Sequence, residues 1–204
     1  MSDKISAETR KLAAIAYGEA STLNDENEIG GIAFAVANRA RAWGRKSVDE
    51  LLKADPNYTY AVTDGNARYN KLMKASEADI QKDAGMKIAV EMAANALENA
   101  GTDHSNGGFW WDGVDIKTNY ANHPKVKNGF RFGNSSDNIF GINESEKEVV
   151  VYWKVVNKKT KKEVKSKERG RYKYVWVSTA AHGKTIFWKH DPDFINVSGS
   201  KEYR

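Results

Sequence analysis

Leu12, Ile15, Ala16, Glu19, Ala20 and Leu23 fall at the spacing that turns one stripe of an α-helix toward a core, and one member of that stripe is a carboxylate. The neighbouring charges Glu8, Arg10 and Lys11 lie outside it. A helix with this face must be covered, and covering it takes Glu19 out of water. Burial disfavours the charged form of a carboxyl group, and the partial negative charge of a helix's last turn pushes the same way. A carboxyl held protonated near neutral pH is what a general acid requires. Glu19 is therefore the first candidate catalytic residue. A glutamate at the edge of a core that hydrogen-bonds a loop would leave the same pattern.

Helical signals continue through the first hundred residues. Ser6 is placed to cap the first helix, which should run to about Ser21. A second starts near Asp25 and stops at Gly44, with Ile29, Ile32, Ala33, Val36, Ala37 and Ala40 on its apolar face. Gly30 and Gly31 each cost that helix about 1 kcal/mol relative to Ala. Their presence points to a close backbone approach, by the first helix or by a ligand. Ser47-Val-Asp-Glu50 has the form of a capping box opening a short helix from Val48 to Lys53, ended by Pro56. Asn57 to Asn66 is loop or short strand, and a short helix over 66–75 follows. Ser76-Glu-Ala-Asp79 then opens the longest helix, carried by Ile80, Ala84, Ile88, Met92 and Ala96 as far as the stop at Gly101.

From Thr102 to Ile142 the helical period disappears, and Gly, Asn, Asp and aromatic residues dominate. Long irregular segments inside compact chains are often functional. Val149–Val156 and Tyr172–Ser178 alternate as strands and read as one long hairpin whose tip is the basic run 158–171, the whole extension spanning 146–178. A short strand is expected at Thr185–Trp188 and a loosely held tail after Asp191. The overall expectation is one mainly helical α+β domain over 1–204 carrying this extension.

The net charge of +5 is local. The run 158–171 holds eight basic and two acidic residues, a net +6 that leaves the remainder at −1. A basic loop without interleaved aromatics at its tip does not point to nucleic acid. With no cysteine, thiol chemistry and disulfides are excluded. The four histidines, His104, His123, His182 and His190, show no HExxH or comparable ligand spacing, so neither metal nor other cofactor is expected. No GxSxG, P-loop or dinucleotide-binding glycine pattern occurs. Residues 1–30 lack a signal peptide's basic start and apolar run, and no run has membrane-spanning length. Synthesis in the cytoplasm is the expectation.

Asp103-His-Ser-Asn-Gly-Gly-Phe-Trp-Trp-Asp-Gly113 is the second informative stretch. Three consecutive aromatics cannot all point inward, so at least one ring should face a groove. Flat rings beside amide and carboxylate groups suit sugars, whose CH patches lie on the rings while hydroxyls take the polar groups. Phe109, Trp110 and Trp111 are candidate groove residues, with Asn106 and Asp112 as polar contacts. A glycosidase commonly pairs two carboxylates. Asp25, Glu28, Asp112 and Asp115 are the candidates for the second.

Tyr17-Gly-Glu-Ala20, followed by a polar gap and Ile32-Ala-Phe-Ala-Val-Ala-Asn-Arg39, resembles the N-terminal signature of SleB-type cell-wall hydrolases, members of the lysozyme-like superfamily. The stretch 103–113, with Ala180–Trp188, is similar to lysozyme-like muramidase domains of type VI secretion effectors. The resemblance covers 8–45 well and 101–142 and 179–189 in outline. It leaves the hairpin unexplained and shows no clear match for the family's acidic residue after the catalytic Glu. It implies a lysozyme-like fold, Glu19 as catalytic acid, Tyr17 as a substrate-binding residue, and hydrolysis of the β-1,4 bond between N-acetylmuramic acid and N-acetylglucosamine. The implied partners are peptidoglycan strands and a cognate immunity protein, with the chain itself a monomer. The implied setting is an antibacterial toxin or lysin that reaches the cell wall, in the periplasm of a target cell, through a secretion system or lysis. A lytic transglycosylase and a non-catalytic glycan- or partner-binding module are the alternatives.

Overall fold

The computed structural model describes residues 4–204. Among these, the first hundred form α1 Ala7–Glu19, α2 Glu26–Ala42, α3 Val48–Ala54, α4 Ala67–Lys74, α5 Glu77–Lys82 and α6 Ala84–Glu98. Ser6 caps α1 by accepting from the Thr9 N–H at 3.0 Å. Every residue from Leu12 to Gly18 is buried. The stretch Leu12–Tyr17, apolar on every side, has to be enclosed, and α1 packs against α2, α4 and α6. The apolar stripe stops short of Leu23, which lies in the α1–α2 connector and is 65% exposed.

Asp25 caps α2 through the Glu28 N–H at 2.8 Å. The two glycines of α2 answer to neither α1 nor a ligand. A Cβ on Gly31 would sit 2.3 Å from the Phe187 ring, and one on Gly30 would sit 2.9 Å from the His104 ring. Ser47 Oγ caps α3 at the Glu50 N–H, but the Glu50 carboxylate accepts from the Lys46 N–H instead of closing the box on Ser47. The expected long helix is two. Asp83 takes an extended conformation between α5 and α6, and its carboxylate accepts from the Met86 N–H at 3.0 Å. That cap restarts the helix, and Lys71 Nζ at 2.6 Å holds the same side chain. The end of α6 is Asn99 in the left-handed region rather than Gly101.

The aromatic half contains β1 Trp110–Asp112, α7 Asp115–Thr118, α8 Pro124–Asn128, β2 Phe130–Arg131, β3 Val149–Val156, β4 Glu163–Tyr172, β5 Trp176–His182, β6 Thr185–His190 and α9 Pro192–Ser198. One sheet has the order β1-β6-β5-β2, with β2 parallel to β5 and the other pairs antiparallel. Alternation along β6 ties two cores together. Phe187 enters the helical core above Gly31, while Ile186 and Trp188 join Ile116, Val126 and Phe130 in a second core.

The hairpin differs from the expected one. β3 pairs with β4, so most of the basic run is itself a strand, and Trp176–Ser178 belongs to the other sheet. The turn explains the change. Asn157 Oδ1 accepts from the Lys159 and Thr160 N–H groups, and Lys161 adopts φ 58°, reversing the chain within six residues. Nor is the tail loose. Asp191 caps α9, Val197 packs against Gly170 of β4, and Phe194 meets the Tyr172 ring edge-on at 5.1 Å. No helix among the described residues is long and apolar enough to cross a membrane. The chain is an α+β fold.

Candidate functional site

The position of Glu19 is set by what ends α1. The last carbonyls of a helix need donors from elsewhere. Arg68 Nε donates to the Tyr17 carbonyl at 2.6 Å and Asn66 Nδ2 to the Gly18 carbonyl at 3.0 Å, both from the start of α4. Glu19 then stands half-buried at the helix terminus. Its Oε1 accepts from Thr59 Oγ1 and, at 2.9 Å, from the Ala61 N–H. Its Oε2 has no hydrogen-bond partner among the described residues. The two donors come from the α3–α4 turn, where Thr59 and Ala61 are buried and Tyr60 between them points out.

Glu19 lines a cleft of about 610 Å³ shared with Tyr58, Trp110, Trp111, Glu28, Asp112 and Lys125. Tyr58 and Trp111 meet edge-to-face with centroids 5.3 Å apart. Burial pushes the Tyr58 hydroxyl well above its usual pKa, so it stays protonated, and it donates a hydrogen bond to the Phe109 carbonyl at 2.6 Å. Beneath the rings lies Arg39, 3% exposed, with its guanidinium carbon 4.3 Å from the Tyr58 centroid and 4.9 Å from that of Trp110. Arg39 is held by Asp55 at 2.8 Å and by the Tyr203 carbonyl at 2.9 Å. Trp110 also packs on Trp176 and His190, and burial among these groups lowers the His190 pKa.

Two further carboxylates of the cleft are engaged. Glu28 is fully buried, and its oxygens accept from Ser21 Oγ at 2.5 Å, Thr185 Oγ1 at 2.8 Å and the Lys184 N–H at 3.1 Å. It thereby joins the α1–α2 connector to the β5–β6 turn. Asp112 Oδ2 lies 2.7 Å from Lys125 Nζ, an ion pair whose angles fall outside those of a hydrogen bond, and its Oδ1 lies 3.4 Å from His123 Nε2. Asp115, mostly exposed, approaches the same His123 nitrogen at 3.4 Å. Burial pulls the His123 pKa down, but the hydrogen bonds to Asp112 and Asp115 outweigh it and carry it up to about 9. The charged ring competes with a bond only a neutral ring can accept, from the Lys125 N–H to Nδ1. At 3.3 Å it is no longer than the two carboxylate contacts on Nε2, each at 3.4 Å. Asp112, Asp115 and His123 offer ligand atoms within 4.8 Å of one another, a spacing that a cation could use. Lys125 Nζ, 2.7 Å from Asp112 Oδ2, already places one positive charge beside this group.

No protein-family model, curated protein or solved structure matches this chain.

Of the residues singled out from sequence, the fold brings Glu19, Trp110, Trp111 and Asp112 to one cleft, together with Glu28 and Asp115. Asp25 is the cap of α2. Tyr17 is buried with the Arg68 guanidinium 3.7 Å from its ring centroid. Phe109 is buried, and its backbone rather than its ring serves the cleft. Asn106 lies in a separate groove beside β5, donating to the Thr179 carbonyl at 2.9 Å. Sequence reasoning missed Thr59, Ala61, Tyr58, Ser21, Lys125 and His123. The stretch 57–66 shows only the alternation of Tyr58, Tyr60 and Val62, which suggests a strand, and nothing in it signals a bond across 40 residues of chain. The one readable hint was Pro124 behind His123, the mark of a helix start.

Proposed function

We propose that the chain is a lysozyme-like peptidoglycan hydrolase, a muramidase that cleaves the β-1,4 bond between N-acetylmuramic acid and N-acetylglucosamine. The observation that carries this reading is the state of Glu19. One oxygen is fixed by Thr59 and Ala61, the other has no hydrogen-bond partner among the described residues, and the residue lines a cleft with Trp110 and Trp111. A carboxyl oriented through one oxygen can carry a proton on the other toward a bound glycosidic oxygen. Protonation lets the C1–O bond break, and the water that attacks C1 returns its proton to the Glu19 carboxylate. The tryptophan faces suit the apolar faces of sugar rings. Such an enzyme acts as an antibacterial effector or lysin, and an immunity protein that filled this cleft would silence it.

One observation favours a second reading, a lytic transglycosylase. Glu28 and Asp112 both have their oxygens engaged, which leaves Glu19, among the described residues, the half-buried carboxylate of the cleft with one oxygen unpartnered. A transglycosylase needs a single acid and closes the muramic acid on its own hydroxyl. Digestion of purified sacculi by the wild type and by Glu19→Gln, with products read by mass, tests both. Hydrolysis gives reducing ends, and transglycosylation gives products lighter by one water. Turnover retained by Glu19→Gln ends both readings.

A further inference from the structure

The β3–β4 ribbon contacts the rest of the chain through α9 at the base of β4 and projects both of its faces toward solvent beyond that point. A solitary two-stranded ribbon is marginal in water, and an opposed valine pair adds at most about 1 kcal/mol to it while leaving apolar surface in solvent. Yet Val155, Val156 and Val164 near its end are 49%, 60% and 39% exposed, and Val155 stands directly opposite Val164. Trp153 and Tyr152 follow one step down, 48% and 37% exposed. Around them the ribbon carries nine basic and two acidic residues between Val149 and Tyr172. The order along the ribbon is lysine turn, valines, aromatic pair, and a stem bearing Arg169 and Arg171.

We propose that this ribbon is a docking element for an anionic lipid bilayer, with the valines entering the headgroup boundary and the lysines bound to lipid phosphates. Charge alone would serve any polyanion. Trp153 and Tyr152 could stack on bases as well as lie at a membrane interface, so the aliphatic tip alone separates the cases: exposed valines add nothing to binding a nucleic acid. Aliphatic residues flanked by Trp and Tyr, with lysines whose stems can lie along the apolar surface, match the chemistry of a membrane interface. Lys165 Nζ lies 5.1 Å from the Tyr152 centroid and the Arg169 guanidinium carbon 4.7 Å from that of Trp153, so the cations and rings of the two strands share surfaces. The proposal does not depend on Glu19.

The test is co-sedimentation of the full chain with vesicles of phosphatidylglycerol mixed into phosphatidylcholine, against phosphatidylcholine alone. Binding only to the anionic vesicles, weakening with salt, is expected. Lys158→Gln/Lys159→Gln/Lys162→Gln should weaken it roughly a hundredfold. Val155→Thr/Val156→Thr, which keeps β-branched residues in the strand, should weaken it several-fold, and Glu19→Gln should bind as the wild type does. The proposal fails if the anionic vesicles do not sediment the protein at low salt. It fails equally if the threonine variant binds unchanged, or if a single-stranded oligonucleotide binds as tightly as the vesicles, since the ribbon would then be a general polyanion site.

Discussion

Thr59 Oγ1 donates to Glu19 Oε1 across 40 residues of chain, and with the Ala61 N–H it ties down one of the two Glu19 oxygens. Removing the hydroxyl should loosen that orientation without opening the core, because the backbone donor stays. Thr59→Val is expected to lower kcat on purified sacculi by roughly ten- to a hundredfold with KM little changed, the signature of a group that positions the acid. Thr59→Ser should restore most of the rate. Equal kcat for Thr59→Val and wild type in a turbidity assay would remove Thr59 from the mechanism.

Arg39 is buried under two cleft rings and bonded to Asp55 and the Tyr203 carbonyl. Arg39→Met keeps the length of the side chain but leaves the carboxylate and carbonyl without their donor. Asp55 keeps about a third of its side-chain surface in water, so the loss should fall below that of a fully buried pair, at about 2–3 kcal/mol by urea unfolding. Arg39→Lys should not rescue it, since an ammonium cannot make the planar contacts to Tyr58 and Trp110.

How much could be read beforehand divides along the same physical line. The helical stretches were legible because each carries its own period and its own cap, and Glu19 was legible because it broke one of those periods. The break at Asp83 escaped notice because Ile80, Ala84 and Ile88 keep helical spacing straight through it, and only the cap onto Met86 shows the restart. The basic run concealed strand β4 because composition was read as a loop, while the short turn at Asn157 had already reversed the chain. Two rings of the aromatic triplet, Trp110 and Trp111, line the cleft that holds Glu19, but a β-strand alternates, and no periodicity says that Phe109 would meet Tyr58 through its carbonyl. Contacts between loops, such as Thr59 with Glu19, depend on the assembled fold and leave no local trace.

Gly31 supplies a test of how α2 and β6 pack. A Cβ there would meet Phe187 ring atoms at 2.3, 2.7 and 3.0 Å, and the ring is fully buried with little room to move. Gly31→Ala should therefore destabilise the fold by about 1–3 kcal/mol, overriding the helix propensity that Ala gains. Phe187→Leu in the same chain should recover part of the loss. A stabilised Gly31→Ala in thermal unfolding would show that the helix and strand can separate freely.

His123 links the cleft to pH. Its folded pKa, about 9, lies above the ordinary value of 6.5. The folded state therefore holds this proton more tightly than the unfolded state. The stabilisation that results is fully present below about pH 6.5 and is lost as pH rises through about 9, at most about 3 kcal/mol in all. His123→Gln can still donate toward Asp112 or Asp115 but carries no charge. The wild type should lose stability in urea between neutral pH and pH 9, and the variant should show a flatter profile over the same window. Parallel profiles would mean that Lys125 alone balances Asp112, with the imidazole acting as a neutral donor.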